Sequence, residues 1–263
     1  MSIVLITGDH PRHKFFANSL INASLVKGWV CEKREEFVPV APNDITSNQK
    51  KLFKKHFVLR EKVENDFFNY TEVNRCKKMN VALENLNSES TAKFIRELEP
   101  SLVLSYGCHK LSKELIDKSK SKFWNTHGGL SPRYRGVITH FWPSYFLEPQ
   151  MTGITLHETT SKIDGGDIIF QSIPEMVSGD GLHILAARSV MTFTKLLEKR
   201  LMKLDFDNLP SGVSQKSAGR IFKASDWRPE HLEVIYDKYE DKVVDLYTSG
   251  SISRTLPELI SVI

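Results

Sequence analysis

Cysteine is scarce, with three residues in 263, at Cys31, Cys76 and Cys108. They are widely spaced, odd in number and outside any CxxC or Cys/His ligand pattern, which argues against a disulfide framework or structural zinc; no metal is expected. Long apolar runs are missing too. No stretch approaches the roughly 20 residues that cross a bilayer, so no membrane partner is expected. The opening MSIVLITGDHPRHKFF lacks the basic residues and small-residue cleavage site of a secretory leader, and the cytoplasm is the expected compartment. Charge of one sign is not in excess: 36 Lys and Arg against 32 Asp and Glu give a formal +4. A solvated surface accounts for so mild a basicity, and no nucleic-acid partner is expected. Internal repeats, low-complexity tracts and the glycine fingerprint of dinucleotide-binding folds are also absent.

What is present has the composition of a folded domain, 40% hydrophobic and 26% charged, long enough to bury a sizeable core. Ser2 to Thr7 is a continuous apolar run, followed by Phe15, Phe16, Leu20 and Ile21 at helical spacing: a buried strand feeding a helix. SLVLSY (Ser101–Tyr106) leads through Gly107 to a polar helix near Ser112–Lys120, and Lys122–His127 opens another apolar segment. GITLH (Gly153–His157) and DIIFQSI (Asp167–Ile173) read as two more strands, and Leu182–Leu204 as a long amphipathic helix. The alternation predicts an α/β fold: a Rossmann-like, open, mostly parallel sheet. Residues 1–204 are expected to form the main domain and 205–263 a small C-terminal appendage, in which His231–Leu246 reads as a mixed-charge helical segment and Val243–Tyr247 alternatively as an isolated strand available for pairing across a homodimer.

One segment between these strands has alternative readings. Thr46–Tyr70 carries Leu52, Phe53, Phe57, Val63, Phe67 and Phe68 among lysines and arginines. It reads as an amphipathic helix or helix pair with a solvated basic face, or as a source of lysines for a phosphorylated ligand. Asn87–Ser90 reads as a cap before the stripe Phe94, Ile95 and Leu98, ended by Pro100.

Asn125 and His127 stand two apart at the end of an apolar strand, so their side chains leave the same face. Ligands of open α/β sheets bind at such carboxyl ends. A loop rich in glycine and proline follows at once (GGLSPRYRG, Gly128–Gly136). IDGGDI (Ile163–Ile168) lies about forty residues on; a carboxylate such as Asp164 beside an imidazole raises its pKa and orients it, as proton transfer requires. Read singly, Asn-x-His is a structural pair and Asp164–Asp167 a tight turn.

Taken together, NTHGGLSPRYRG, GITLH and IDGGDII resemble the formyltransferase family that uses 10-formyltetrahydrofolate, and most resemble its nucleotide-sugar N-formyltransferases. The resemblance runs from about Ser101 to Ile173. Leu130, Pro132, Arg135 and Gly136 fit the family's loop, while Gly129 and Ser131 stand where Ser and Leu are frequent. It implies a formyl-transferring enzyme in which Asn125, His127 and Asp164 are catalytic. Folate is implied as partner beside Ser105, Tyr106, Gly107 and Cys108, with His157 and Ile163 close by. The acceptor is expected against Gly129, Arg133, Tyr134 and Arg135, with the turn Asp9–His13, Asp9 and His10 foremost, at a helix amino terminus able to meet an anion. His157 has a packing reading as well, and His140, Phe141 and Trp142 read as core aromatics or as a wall of the acceptor pocket.

Three acceptors recur in that family: glycinamide ribonucleotide, the methionyl group of initiator tRNA, and nucleotide-linked amino sugars. The tail of about 55 residues exceeds what the purine enzymes usually carry and falls short of the larger basic domain of the tRNA enzymes. The leading expectation is therefore a nucleotide-linked amino sugar destined for a surface glycan such as the O-antigen of lipopolysaccharide. A folate- or nucleotide-binding module without catalysis is the non-enzymatic alternative.

Overall fold

The structure, a computed structural model, describes residues 2–72, 74–217 and 219–263. Its strands are β1 (Ile3–Gly8), β2 (Val26–Glu32), β3 (Lys77–Val81), β4 (Leu102–Tyr106), β5 (Lys122–His127), β6 (Tyr134–Gly136), β7 (Ile154–Glu158), β8 (Ile168–Ser172) and β9 (Arg220–Phe222). The helices are α1 (Pro11–Asn22), α2 (Ser47–Phe67), α3 (Leu83–Leu86), α4 (Glu89–Leu98), α5 (Lys113–Ser119), α6 (Trp142–Tyr145), α7 (Leu182–Leu201), α8 (His231–Glu233) and α9 (Val243–Thr248), with a π-helical turn at Val234–Lys238.

Seven strands form one sheet in the order β3-β2-β1-β4-β5-β7-β8. Pairing is parallel from β3 to β5 and antiparallel from β5 through β7 to β8. This is the open, mostly parallel sheet that the sequence predicts. Its central strands are covered on both faces, which is why β1 and β4 read as unbroken apolar runs. Ile3 and Leu5 point toward α1 and α7, joining Phe16, Leu20, Phe193 and Leu197; Val4 and Ile6 point the other way, joining Ile95 of α4 and Leu115 of α5.

A third apolar cluster joins α2 (Leu52, Phe53), the segment after β6 (Phe141, Trp142) and the C-terminal segment (Phe222, Leu232, Ile235, Tyr236). The basic insert is thus a single helix, started by a capping box between Thr46 and Gln49, with Leu52, Phe53 and Val63 turned inward. The outer edge of β8 is occupied by later parts of the chain. Ile168 exchanges both backbone hydrogen bonds with Val213, Gln171 N–H donates to Ile260, and Val262 N–H donates to Ile169.

Val243–Tyr247 is not a strand. Its β-branched residues favour that reading, but Leu246 N–H donates to the Lys242 carbonyl, Asp245 accepts from Ser178 and Gly179, and Val243 and Val244 are buried. The segment is helix α9, and the dimer expectation loses the strand on which it rested.

Candidate active site

Strand register lines up three side chains. Ser105 on β4 pairs with Asn125 on β5, which pairs with His157 on β7. The Ser105 hydroxyl donates to Asn125 Oδ1 at 2.8 Å, and Asn125 Nδ2 lies 3.2 Å from His157 Nε2. The other ring nitrogen of His157 lies 2.8 Å from the Glu158 carbonyl. That carbonyl only accepts, so Nδ1 carries the proton and Nε2 accepts from the amide. Both ends of the Asn125 carboxamide are thereby fixed, with one N–H of Nδ2 left over.

His127, two residues on, is held at the other ring nitrogen: Nε2 donates to the Tyr134 carbonyl at 2.8 Å, and Nδ1 faces Asp164 Oδ2 at 3.4 Å. Asp164 Oδ1 lies 3.5 Å from His157 Nε2, and Asp164 Oδ2 accepts from Gly136 N–H at 2.8 Å. Asn125, His127 and Asp164, selected from sequence, are therefore brought together, with His157 between Asn125 and Asp164. Burial would raise the Asp164 carboxyl, but His127, His157 and the Gly136 N–H hold it at about 2. His127 goes the opposite way from the sequence expectation. Desolvation of the buried ring outweighs the pull of Asp164, so its pKa lies below the ordinary histidine value.

The loop after β5 is fixed from beneath. Thr155 donates to the Gly129 carbonyl and accepts from Ser131 N–H, while Gln171 donates to Ser131 and Thr155. The Ser131–Pro132 bond is cis. A Cβ at Gly129 would stand 2.5 Å from the Tyr134 carbonyl oxygen and 2.6 Å from His127 Nε2, so glycine alone leaves their hydrogen bond room. Asp164 adopts a left-handed φ of 42°. Its turn is held by Gln215, which donates to the Asp164 and Gly166 carbonyls.

Other predicted contacts are placed differently. Asp9 accepts from Arg34 N–H and His10 contacts the Glu35 carbonyl, so both face the segment after β2. Arg12 and His13, from the same turn, instead line a cavity behind Gly128. Arg133 and the Tyr134 hydroxyl pair with Glu148, away from Asn125. Arg135 is buried, and its guanidinium lies near Gly165. The side chains of Ser105–Cys108 are committed elsewhere: Ser105 to Asn125, Tyr106 to the cavity edge-on to His13, and Cys108 to the core beside β4, where burial pushes the thiol up to about 12. A Cβ at Gly107, whose φ is 65°, would collide with the His13 ring. Ile163 is exposed, Trp142 is core, and His140 and the buried Phe141 line the cavity.

Sequence reasoning missed Ser105 and His157 as supports of Asn125, and Gln215 altogether. The first two depend on inter-strand register, the third on the return of the tail.

The formyl transferase family model matches residues 34–201. The chain belongs to that family. A methionyl-tRNA formyltransferase of Prochlorococcus marinus (strain NATL2A) is 32% identical over 127 residues, 48% of this chain and 36% of that protein. The bifunctional polymyxin resistance protein ArnA of Wigglesworthia glossinidia brevipalpis is 35% identical over 89 residues, 34% of this chain and 14% of that protein. The matched stretch thus spans well under two thirds of either relative.

Among solved structures, a sugar N-formyltransferase from Shewanella sp FDAARGOS_354 has a TM-score of 0.55 at 21% identity, covering 89% of this chain and 87% of that one. The formyltransferase PseJ from Anoxybacillus kamchatkensis, in complex with UDP-4,6-dideoxy-4-formamido-L-AltNAc and tetrahydrofolate, has a TM-score of 0.51 at 16% identity, covering 93% and 97%. Glycinamide ribonucleotide transformylase 1 from Symbiobacterium toebii has a TM-score of 0.52 at 13% identity, covering 82% and 93%. These likenesses establish the shared fold. Among the described residues no helix is long and apolar enough to cross a membrane.

Proposed function

We propose that this family member transfers the formyl group of 10-formyltetrahydrofolate to the amine of a nucleotide-linked amino sugar. The observation that carries the chemistry is the hydrogen-bonded row Ser105–Asn125–His157 with His127 and Asp164 against it. Attack of a neutral amine on the formyl carbon forms the new C–N bond and places negative charge on the formyl oxygen. The uncommitted Nδ2–H of Asn125, held at both ends of its carboxamide, is the donor for that oxyanion. His127 Nε2–H is already spent on Tyr134, so its Nδ1 takes the proton from the amine, directly or through a water, and Asp164 stabilises the imidazolium. The same proton reaches N10 as the bond from the formyl carbon to N10 breaks and tetrahydrofolate departs. Folate would lie against the main chain of Ser105–Cys108 and the exposed Ile163 beside Asp164, since the side chains of Ser105, Tyr106 and Cys108 are all turned elsewhere.

The sugar acceptor is supported by the sugar N-formyltransferases among the fold neighbours. On this reading 205–263 is an appendage that completes the acceptor side, and the product enters a surface glycan from the cytoplasm. The test is tetrahydrofolate release with nucleotide-linked 3- and 4-amino sugars, glycinamide ribonucleotide and methionyl-tRNA offered in parallel. Release that depends on an amino sugar and disappears in His127→Ala supports the proposal. Release with either other acceptor alone reassigns the substrate, and ligand binding without release in any arm marks a non-catalytic module.

A further inference from the structure

The last residues of the chain reach the catalytic loop through one side chain, Gln171 on β8. Its carboxamide is buried, and its polar atoms divide between the loop and the C-terminal tail. Nε2 serves the loop side, donating to the Ser131 carbonyl at 2.7 Å and the Thr155 hydroxyl at 3.0 Å. Oε1 serves the tail and accepts from the Ile260 main-chain N–H at 3.3 Å. A carboxamide turned end for end would set its oxygen against the Ser131 carbonyl and its NH2 group against the Ile260 N–H. Ile260 therefore selects the orientation that grips the loop. It is itself held in place, since its carbonyl accepts from Gln171 N–H at 2.8 Å. The tail's approach is fixed as well: the buried Gln150 donates to the Ser253 and Thr255 carbonyls.

What Ser131 does for His127 follows from the turn in which it stands. Thr155 accepts from the Ser131 N–H, Gln171 holds its carbonyl, and Tyr134 N–H closes the turn by donating to Leu130 at 2.8 Å. The Tyr134 carbonyl, leaving that turn, accepts from His127 Nε2. The competing tautomer of the ring would carry its proton on Nδ1, toward the Asp164 carboxylate at 3.4 Å. At equal length the bond to a carboxylate is the stronger one, so the closer approach of Tyr134, 2.8 Å, decides where the proton sits. Only the Nε2–H tautomer leaves Nδ1 free to take a proton. We propose that Ile260 of the C-terminal tail is a positioning residue of the active site: acting through Gln171 and Ser131, it holds the Tyr134 carbonyl where that carbonyl selects the base form of His127. The tautomer is read from the geometry; that it serves formyl transfer rests on the function proposed above.

The test compares Ile260→Pro with Val262→Pro in the full chain. The first removes the N–H that holds Gln171 Oε1 and keeps the Ile260 carbonyl; the second removes the next tail bond, to the Ile169 carbonyl, and leaves Gln171 its partners. Two readings are taken: the imidazole nitrogen NMR spectrum at neutral pH, with the His127 signals assigned by their loss in His127→Ala, and the kinetics of tetrahydrofolate release. Wild type is expected to show Nε2 protonated. Ile260→Pro should move His127 toward protonation at Nδ1 and lower kcat roughly tenfold with KM within about twofold. Val262→Pro should lower the melting temperature by a similar amount and leave both readings at wild type. Equal effects of the two variants on the ring and on turnover, a ring in Ile260→Pro that matches wild type, or a wild-type ring protonated at Nδ1 overturns the inference. Should Ile260→Pro fail to fold, Gln171→Leu takes its place against the same control and with the same expectations. A tail-dependent ring without formyl transfer leaves the inference and removes the function; transfer with a tail-independent ring does the reverse.

Discussion

His157 accepts a hydrogen bond from Asn125 across the antiparallel β5–β7 pair, at 3.2 Å, because its own Nδ1–H is committed to the Glu158 carbonyl. The imidazole is thus a fixed acceptor that aims a carboxamide, and removing it frees that amide to turn. His157→Phe keeps the volume and is expected to lower kcat roughly tenfold, the worth of one hydrogen bond, with KM nearly unchanged. Ser105→Ala should do the same from the other end. Asn125→Ala removes the donor itself and should cost about 100- to 1,000-fold. Steady-state kinetics of tetrahydrofolate release separate these; an unchanged kcat in His157→Phe would discard the row as a catalytic support.

The depressed pKa of His127 sets the acid side of the rate profile. The ring must be neutral to take a proton, so kcat is expected to rise with pH through a value below 6.5 and to be flat at neutrality. Asp164 is the leading group that holds this pKa up against desolvation. Asp164→Asn should therefore move the acid limb to lower pH while lowering the plateau by about 100-fold or more. A limb that moves to higher pH contradicts this electrostatic arrangement.

Gly129→Ala would place a methyl group at the His127–Tyr134 hydrogen bond. Loss of turnover on the order of 100-fold is expected, with the melting temperature changed by only a few degrees. Full activity would show that the bond is not needed for His127 to function.

Stability should fall in mild acid. Burial holds His56 and His140 at about 3 and keeps His13, His127 and His183 below the usual value. Each has a folded pKa below its unfolded one, so the unfolded chain binds more protons. This stabilisation is complete above about pH 6.5 and is lost as pH falls, by about 2 kcal/mol for each of the first two rings at pH 5. Asp164 adds a second loss, between about pH 4 and about 2. Calorimetry should show melting temperatures dropping between pH 7 and 5, less steeply in His56→Gln; a flat profile would contradict neutral buried rings.

Elements with a strong local signature were legible in the sequence: β1, β4 and β5 from their apolar runs, and α1 and α7 from helical spacing. Strand β3 was not, because Lys77 and Lys78 give it the composition of a surface loop. Three-residue strands such as β6 and β9 carry too few side chains for any period. Asn125, His127 and Asp164 could be selected because two share a strand and the third sits in a glycine-marked turn. What Ser105 and His157 do could not, since register is a property of pairs of strands. The turn Asp9–His13, expected to meet an anion, divides in the structure: Asp9 and His10 face the segment after β2, while the first turn of α1 rotates Arg12 and His13 toward the cavity.

The strip of late chain along β8 has a further consequence. An uncovered outer strand is a template for another molecule's backbone. Here Val213 and Ile260–Val262 occupy that edge, while the opposite edge, β3, carries the exposed Lys77 and Lys78. A protein shortened before Pro257 would keep its reacting groups but expose the backbone of β8 to its neighbours, so aggregation at high concentration is the first defect such a truncation should show.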